Sequence, residues 1–358
     1  MDKIKILAIH PGSTSTKISV SHNDKSVFLK TIRHSAEDLE KFEKITDQFE
    51  FRKDVIMKEL VDAEICIDKL DAVVGRGGLI RPVEGGIYEV NQRMKDDLEK
   101  GVMGEHASNL GGLIALFIAQ SLPNARAFIA NPVVVDELQD VARISGHPDF
   151  ERVSIFHALN QKAIARQFAK SRDTKYEELN LIVAHLGGGI SVGAHYRGRV
   201  IDVNNGLDGD GPFSPERSGT LPVGQLVRTC FSGKYTFDDM RHAITGKGGL
   251  MAYFGTNSSY EVEVRAKDGD KKAKLIQDAM AYQIGKAIGE MATVLYGEVH
   301  GILITGGVAN NNDIITYIRN MVGFIAPVFV YPGEDEMSAL TMNGLMVLKG
   351  EMECKEYS

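Results

Sequence analysis

The chain repeats one local plan in its two halves, and that repetition limits the folds open to it. Residues 4–20, IKILAIHPGSTSTKISV, read as an apolar strand, a tight loop of Pro, Gly, Ser and Thr, and a second, alternating strand. Residues 181–195 repeat this as a strand LIVAH, a loop LGGGI and a returning strand SVGAH. In LAIHPGSTS and in VAHLGGGIS the first strand ends in histidine just ahead of the glycine loop. Loops of such small residues present backbone N–H groups and hydroxyls with little bulk before them, the chemistry of a nest for phosphate oxygens. Either loop alone would equally be an ordinary hairpin turn. The pair makes His10, Gly12, Ser13, Thr14, Ser15 and Lys17 candidates for phosphate or nucleotide binding. His185, Gly187, Gly188 and Gly189 are their counterparts in the second half.

Each loop opens a longer repeat. In the first half a third strand at 26–31 is followed by a capped helix from Ser35 through Phe49 and a second helix at 52–63. A buried strand at 72–74, a helical stretch at 91–122 broken at 101–104, and a strand at 127–129 complete it. In the second half a strand at 199–203 is followed by helices at 221–231 and 270–296. Strands at 302–304 and 327–331 and a final helix at 336–348 close the chain. The expected fold class is α/β, two lobes from a duplicated β-β-β-α-β-α-β unit, with ligand in a cleft between them. The Gly306-Gly307 turn after a strand would let a nucleoside approach backbone.

At 358 residues the chain exceeds one ordinary core, and no low-complexity linker parts the halves. A net charge of −7 with dispersed Lys and Arg argues against nucleic acid as partner. The three cysteines, Cys66, Cys230 and Cys354, have neither disulfide-framework nor zinc-site spacing, which suits a reducing compartment. With charges at Asp2, Lys3 and Lys5 no signal peptide is expected, and the apolar run at 110–122 is too short to span a membrane. A cytoplasmic location is therefore expected.

The segments HPGSTSTK, VVGRGG, GEHASNLGG, NPVVVDE, RISGHP, SIFHALNQK, AHLGGGISV, DGDGPFSPERSG and LITGG, in that order, closely resemble butyrate kinases. These stand with acetate kinase in the acetate and sugar kinase/actin-like superfamily. The resemblance implies two ribonuclease-H-like lobes, 1–151 with 337–358 returning to it, and 152–336. The first would serve the acyl side and the second the nucleotide side. It implies reversible transfer of the γ-phosphoryl group of ATP to a short-chain carboxylate, giving an acyl phosphate and ADP, with Mg²⁺ bridging the phosphates. It further implies a homo-oligomer, dimeric or larger.

Such a transfer moves a metaphosphate-like group between two anions, so fixed cationic donors must surround it. The resemblance assigns Arg76, Arg217 and His157 to that task. Glu336 matches the carboxylate for the metal, although an acidic residue at a helix start also complements the helix dipole. His185 matches a phosphate-contacting position, with a structural role as its alternative. Val74, Phe156 and Pro212, beside these motifs, are candidate walls for the alkyl chain; core packing would explain the first two equally.

Two positions depart from the family pattern. His10 stands where the family usually has Asn, and Asn131 where it has an Asp commonly counted as catalytic. A histidine can still donate to phosphate or to metal-bound water. The acceptor carboxylate is already ionised, so no base is required of residue 131. The double departure leaves open a nucleotide-binding relative with impaired kinase activity. Within the active reading, a branched or other short acid (isobutyrate, propionate, acetate) is the alternative acceptor, since one methylene is worth only ~1–3 kcal/mol in an apolar pocket.

Overall fold

The structure, a computed structural model, describes residues 3–358. Met1 and Asp2, the latter one of the charges weighed against a signal peptide, lie outside them. Its strands begin with β1 (Lys5–Pro11), β2 (Ser15–His22), β3 (Lys25–Arg33), β4 (Ala72–Arg76), β5 (Ile87–Glu89) and β6 (Arg126–Ala130). They continue with β7 (Asn180–Leu186), β8 (Ile190–Tyr196), β9 (Arg199–Val203), β10 (Gly301–Gly306), β11 (Val328–Pro332) and β12 (Cys354–Lys355).

Contacts divide the chain into two compact units, Met1–Val135 with Asp335–Ser358, and Asp136–Glu334. The duplication read from the sequence reappears as topology. The first unit's sheet runs β12-β5-β6-β4-β1-β2-β3 and the second's β11-β10-β7-β8-β9. In both, a central strand pairs antiparallel with the next strand in the chain and parallel with a later one: β1 with β2 and β4, β7 with β8 and β10.

Central strands covered on both faces must be apolar throughout. β1 is buried along nearly its whole length and β7 along all of it. Successive side chains alternate between faces. Leu7, Ile9 and Val73 join the core packed by the helices Phe49–Asp62 and Asn109–Gln120. On the opposite face Ile6 and Val74 meet Gly344 of the helix Glu336–Leu348. In the second unit Ile182, Ala184 and Leu186 face the helices Lys271–Val294 and Asn312–Val322. Leu181 and Val183 face Ala165 and Phe168 of the helix Ala158–Ser171. Each fully buried Leu or Ile adds about 1.5–3 kcal/mol, so these layers hold the strand ends that carry the loops.

The structure departs from the sequence reading in places. The helix expected from Ser35 through Phe49 is a single turn, Ala36–Leu39, followed by a 3₁₀ turn, Thr46–Gln48, that leads into Phe49–Asp62. The Asp47 carboxylate takes the Lys44 N–H, a local bond that competes with helix continuation. β5 and β12 are too short to show a period in sequence. The first division falls after Val135, not at 151. Arg143 holds Asp136 and the Leu138 carbonyl, while Arg152 holds Asp202 and the Val203 carbonyl, which knits 136–152 into the second unit.

Candidate active site

In the first unit three predicted residues converge. His10, near the end of β1, and Arg76, the last residue of β4, meet Glu336 in the first turn of the final helix. Arg76 Nη1 is hydrogen-bonded to His10 Nε2 and lies 3.2 Å from Glu336 Oε1; His10 Nδ1 lies 2.6 Å from Glu336 Oε2. A guanidinium only donates, so Nε2 accepts and the His10 proton sits on Nδ1, facing the carboxylate. Burial pushes the His10 pKa down, against the pull of Glu336 and with help from Arg76, which keeps the ring neutral. Both ring nitrogens are thus committed inward. His10 orients an arginine and a carboxylate here, in place of the direct phosphate donor expected of it.

The loop beyond β1 is held from behind by Arg52, which the sequence reading passed over. Its buried guanidinium donates to the carbonyls of Gly12 (2.8 Å), Ser13 (3.0 Å) and Ser15 (3.2 Å), to Thr16 Oγ1 and to Gln48 Oε1. Burial lowers its pKa to about 10, so it stays charged at neutral pH. With those carbonyls drawn inward, Ser13 and Thr14 form the exposed crest of a loop backed by a positive charge. The only sequence hint was an arginine on the covered face of an amphipathic helix, where charged residues are rare unless bonded. Lys17 adds a cation directly across the β1–β2 ladder from His10.

Asn131, buried and at positive φ (39°), pairs with Gly86 through backbone and side chain. Its N–H donates to the Gly86 carbonyl (2.8 Å) and its Oδ1 accepts from the Gly86 N–H (2.9 Å). Its Nδ2 donates to Asn343 Oδ1 at 3.4 Å. The amide therefore braces β5 against the final helix. Val74 is fully buried beneath Gly344 and is core, not a pocket wall.

In the second unit His185, at the end of β7, stacks on His157, the N-cap of the helix Ala158–Ser171, with ring centroids 3.9 Å apart and planes 16° apart. His185 Nδ1 bonds Asn160 Oδ1 (2.9 Å) and its Nε2 lies 3.1 Å from Glu334 Oε1. The turn Gly187–Gly189 follows, closed by a bond from the Gly187 N–H to the Gly189 carbonyl. Ser214 donates to the Gly188 carbonyl (2.5 Å) and accepts from the Arg217 N–H, tying DGDGPFSPERSG to this turn. The Arg217 guanidinium crosses Gly189, where a Cβ would collide with it, and donates to the Gly206 carbonyl. Burial lowers its pKa. Thr305 pairs with His185 across the β7–β10 ladder, so Gly306 and the exposed Gly307 end at the same edge of the sheet as the Gly187–Gly189 turn. Phe156 and Pro212 are both buried.

Among the described residues, no three His, Cys, Asp or Glu side chains form a metal cage. An Mg²⁺ that arrives with phosphates needs only one or two carboxylates and keeps several waters. Glu336, a buried carboxylate in contact with Arg76 and His10, fits that sparse donor set.

The chain is 56% identical to butyrate kinases 2 and 1 of Clostridium acetobutylicum, covering 99% of this chain and 99% of each relative. The acetokinase family model matches residues 152–325. Among solved structures, Porphyromonas gingivalis acetate kinase superposes with a TM-score of 0.79 at 18% identity, over 96% of this chain and 100% of that one. A propionate kinase from Francisella tularensis gives 0.72 at 19%, over 95% and 98%. These two similarities establish the fold, that of acetate kinase. The full-length identity establishes the family: the chain belongs to the butyrate kinases of the acetokinase family.

Proposed function

We propose that this chain transfers the γ-phosphoryl group of ATP reversibly to butyrate, forming butyryl phosphate and ADP. The observation that carries the reading is the 56% identity to two butyrate kinases over 99% of the chain. The acceptor carboxylate is an ionised nucleophile, so the protein need only align the groups and stabilise charge. Arg76 and Arg217 are the cations assigned to the transferring group. Arg76 is pre-set by His10 and Glu336, Arg217 by Ser214 and Gly206. His157 is assigned as a hydrogen-bond donor to the same oxygens. In this reading the first unit takes the acyl end and the second the nucleotide, with phosphates at the Gly187–Gly189 turn and the base near Gly306-Gly307. Mg²⁺, held by Glu336, would supply charge neutralisation when bound.

A homo-oligomer is proposed as well. The helix Val223–Cys230 buries none of its residues, and Val223, Val227 and Phe231 expose an apolar stripe suited to a second copy. Among the described residues no helix is long and apolar enough to cross a membrane, and a cytoplasmic site of action is proposed.

Hydroxylamine trapping with ATP, Mg²⁺ and butyrate, isobutyrate, propionate or acetate tests the function. The expected result is acyl hydroxamate with the highest kcat/KM for butyrate. Nucleotide binding with no hydroxamate from any acid would sink the kinase reading and favour a relative inactivated at His10 and Asn131.

A further inference from the structure

Behind His157 a line of buried polar side chains runs into the second unit. His157 Nδ1 lies 2.8 Å from Ser191 Oγ, and Gln161 Nε2 lies 2.8 Å from the same oxygen and 3.0 Å from the Ser191 carbonyl. Gln161 Oε1 lies 2.9 Å from His195 Nε2, and His195 Nδ1 lies 2.7 Å from the Tyr176 hydroxyl. Ser191, Gln161 and His195 are completely enclosed and Tyr176 nearly so. None of these four was singled out for function by its motif.

The proton positions along this line follow from chemistry alone. The Ser191 carbonyl can only accept, so the Gln161 NH₂ must face it; the amide cannot be flipped. Nε2 therefore also donates to Ser191 Oγ, and Oε1 accepts from His195 Nε2–H. The His157 backbone N–H points at Ser191 Oγ as well, at 3.4 Å. With both lone pairs facing donors, the Ser191 hydroxyl proton has, among the described residues, His157 Nδ1 as its acceptor. The opposite arrangement, an Nδ1–H on His157, would aim three donors at one hydroxyl and leave its own proton buried without an acceptor, a costly state. At the inner end His195 is neutral, its pKa driven well below normal by burial and by the nearby Lys162 and Arg166, so its Nδ1 accepts from Tyr176. Gly193 of β8 makes room for the line: a Cβ there would lie 2.7 Å from Gln161 Oε1.

We propose that Tyr176, His195, Gln161 and Ser191 are positioning residues that lock His157 into its Nε2–H tautomer, so that it always presents a donor to the transferring phosphoryl group. The bonds all run one way, from Tyr176 outward to His157. This deepens the proposed function and rests on His157 being the donor in that reaction. Fixing a ring tautomer through its second nitrogen is how histidines are set for a single role. Here it replaces a carboxylate, which would raise the basicity of the ring, with a neutral hydroxyl.

The test is a long-range ¹H–¹⁵N spectrum of the ¹⁵N-labelled enzyme, with the His157 signals identified by their loss in His157→Gln. The expected result is an unprotonated Nδ1 and a protonated Nε2. A protonated Nδ1 with bare Nε2 would overturn the proposal, and the tautomer is read on the unaltered enzyme. Ser191→Ala is expected to let the ring populate both tautomers and lower kcat about 10- to 100-fold, with KM for ATP and butyrate within about 2-fold. An unchanged kcat and an unchanged tautomer in Ser191→Ala would overturn it as well. Full kcat in His157→Ala, which leaves no side-chain donor, would overturn the donor role on which the positioning rests, and the spectrum separates that failure from a wrong tautomer.

Discussion

Arg52 offers the sharpest test of how the first loop is built. It is a fully buried cation whose hydrogen bonds go to three loop carbonyls, a hydroxyl and an amide. Arg52→Met keeps most of the stem's packing and removes the fork. Hydrogen bonds to a charged group contribute about 1.5–3 kcal/mol each, but the losses do not simply add. The Ser15 carbonyl keeps the Gly12 N–H at 2.7 Å, Thr16 Oγ1 keeps His34 at 2.9 Å, and water reaches Gly12 and Ser13. Removing a desolvated cation also recovers part of its burial cost. The net expectation is a loss of about 2–4 kcal/mol, or roughly 5–10 °C in melting temperature for a unit of this size. The functional effect is separate. With its carbonyls released, the crest at Ser13 and Thr14 loses its fixed orientation and the positive charge behind it. The KM of the phosphorylated substrates should then rise about tenfold, equivalent to ~1.4 kcal/mol, while kcat changes little. Arg52→Lys, which keeps the charge without the fork, should recover only part of the loss. Melting curves and initial rates on the same preparations check both. A lowered melting point with unchanged KM in Arg52→Met would refute the argument that Arg52 shapes the loop for phosphate.

Asn131→Asp would set a carboxylate oxygen against Asn343 Oδ1, which cannot turn away because Asn343 Nδ2 is held by the Ala339 carbonyl. A loss of about 1–3 kcal/mol in urea unfolding is expected. Turnover of the folded fraction should rise if the missing charge limits the chemistry, and an unchanged kcat would place residue 131 outside it. Lys162 and Glu137 form a buried pair at 2.8 Å, with Glu137 also accepting the Val200 N–H. Lys162→Met alone should cost about 3–5 kcal/mol, and adding Glu137→Leu should restore much but not all of it, read as denaturation midpoints. Burial depresses the pKa of His34 from 6.5 to about 4 and lowers those of His10 and His195 too. These rings are neutral when folded and take up protons on unfolding, so their contribution is complete above pH 6.5 and is lost as pH falls below it, for His34 draining away toward pH 4. Denaturation midpoints flat across that window would contradict this.

Much of the fold was legible because it rests on repetition and periodicity. The paired loops, the apolar runs that became β1 and β7 and the long amphipathic stretch that became Lys271–Val294 are local signals, and each fell where its pattern placed it. Some elements that escaped had no period to read, as with β5 and β12, or carried a competing local bond, as at Asp47. The helices Phe237–Ile244, Ser259–Lys267 and Asn312–Val322 went unread even though the last has Ile314, Ile315, Ile318 and Val322 at helical spacing on its buried face. The candidate site was legible as a set of residue types at motif positions. Its internal partnerships were not, because they join residues far apart in the chain: His10 to Glu336, Arg52 to Gly12, Asn131 to Gly86.

The sequence by itself determined that this chain builds two related units, each ending its first strand in a histidine and a small-residue loop, and that it is a butyrate kinase-type chain. Only the tertiary structure decided what those histidines do. His10 is turned inward between an arginine and a carboxylate, and His185 is pressed flat against His157. His157 in turn is backed by a directed line of hydrogen bonds. The reason is physical: a residue's type sets which bonds it can make, but donor and acceptor roles are assigned only when folding brings its partners within reach and excludes the water that would otherwise satisfy it.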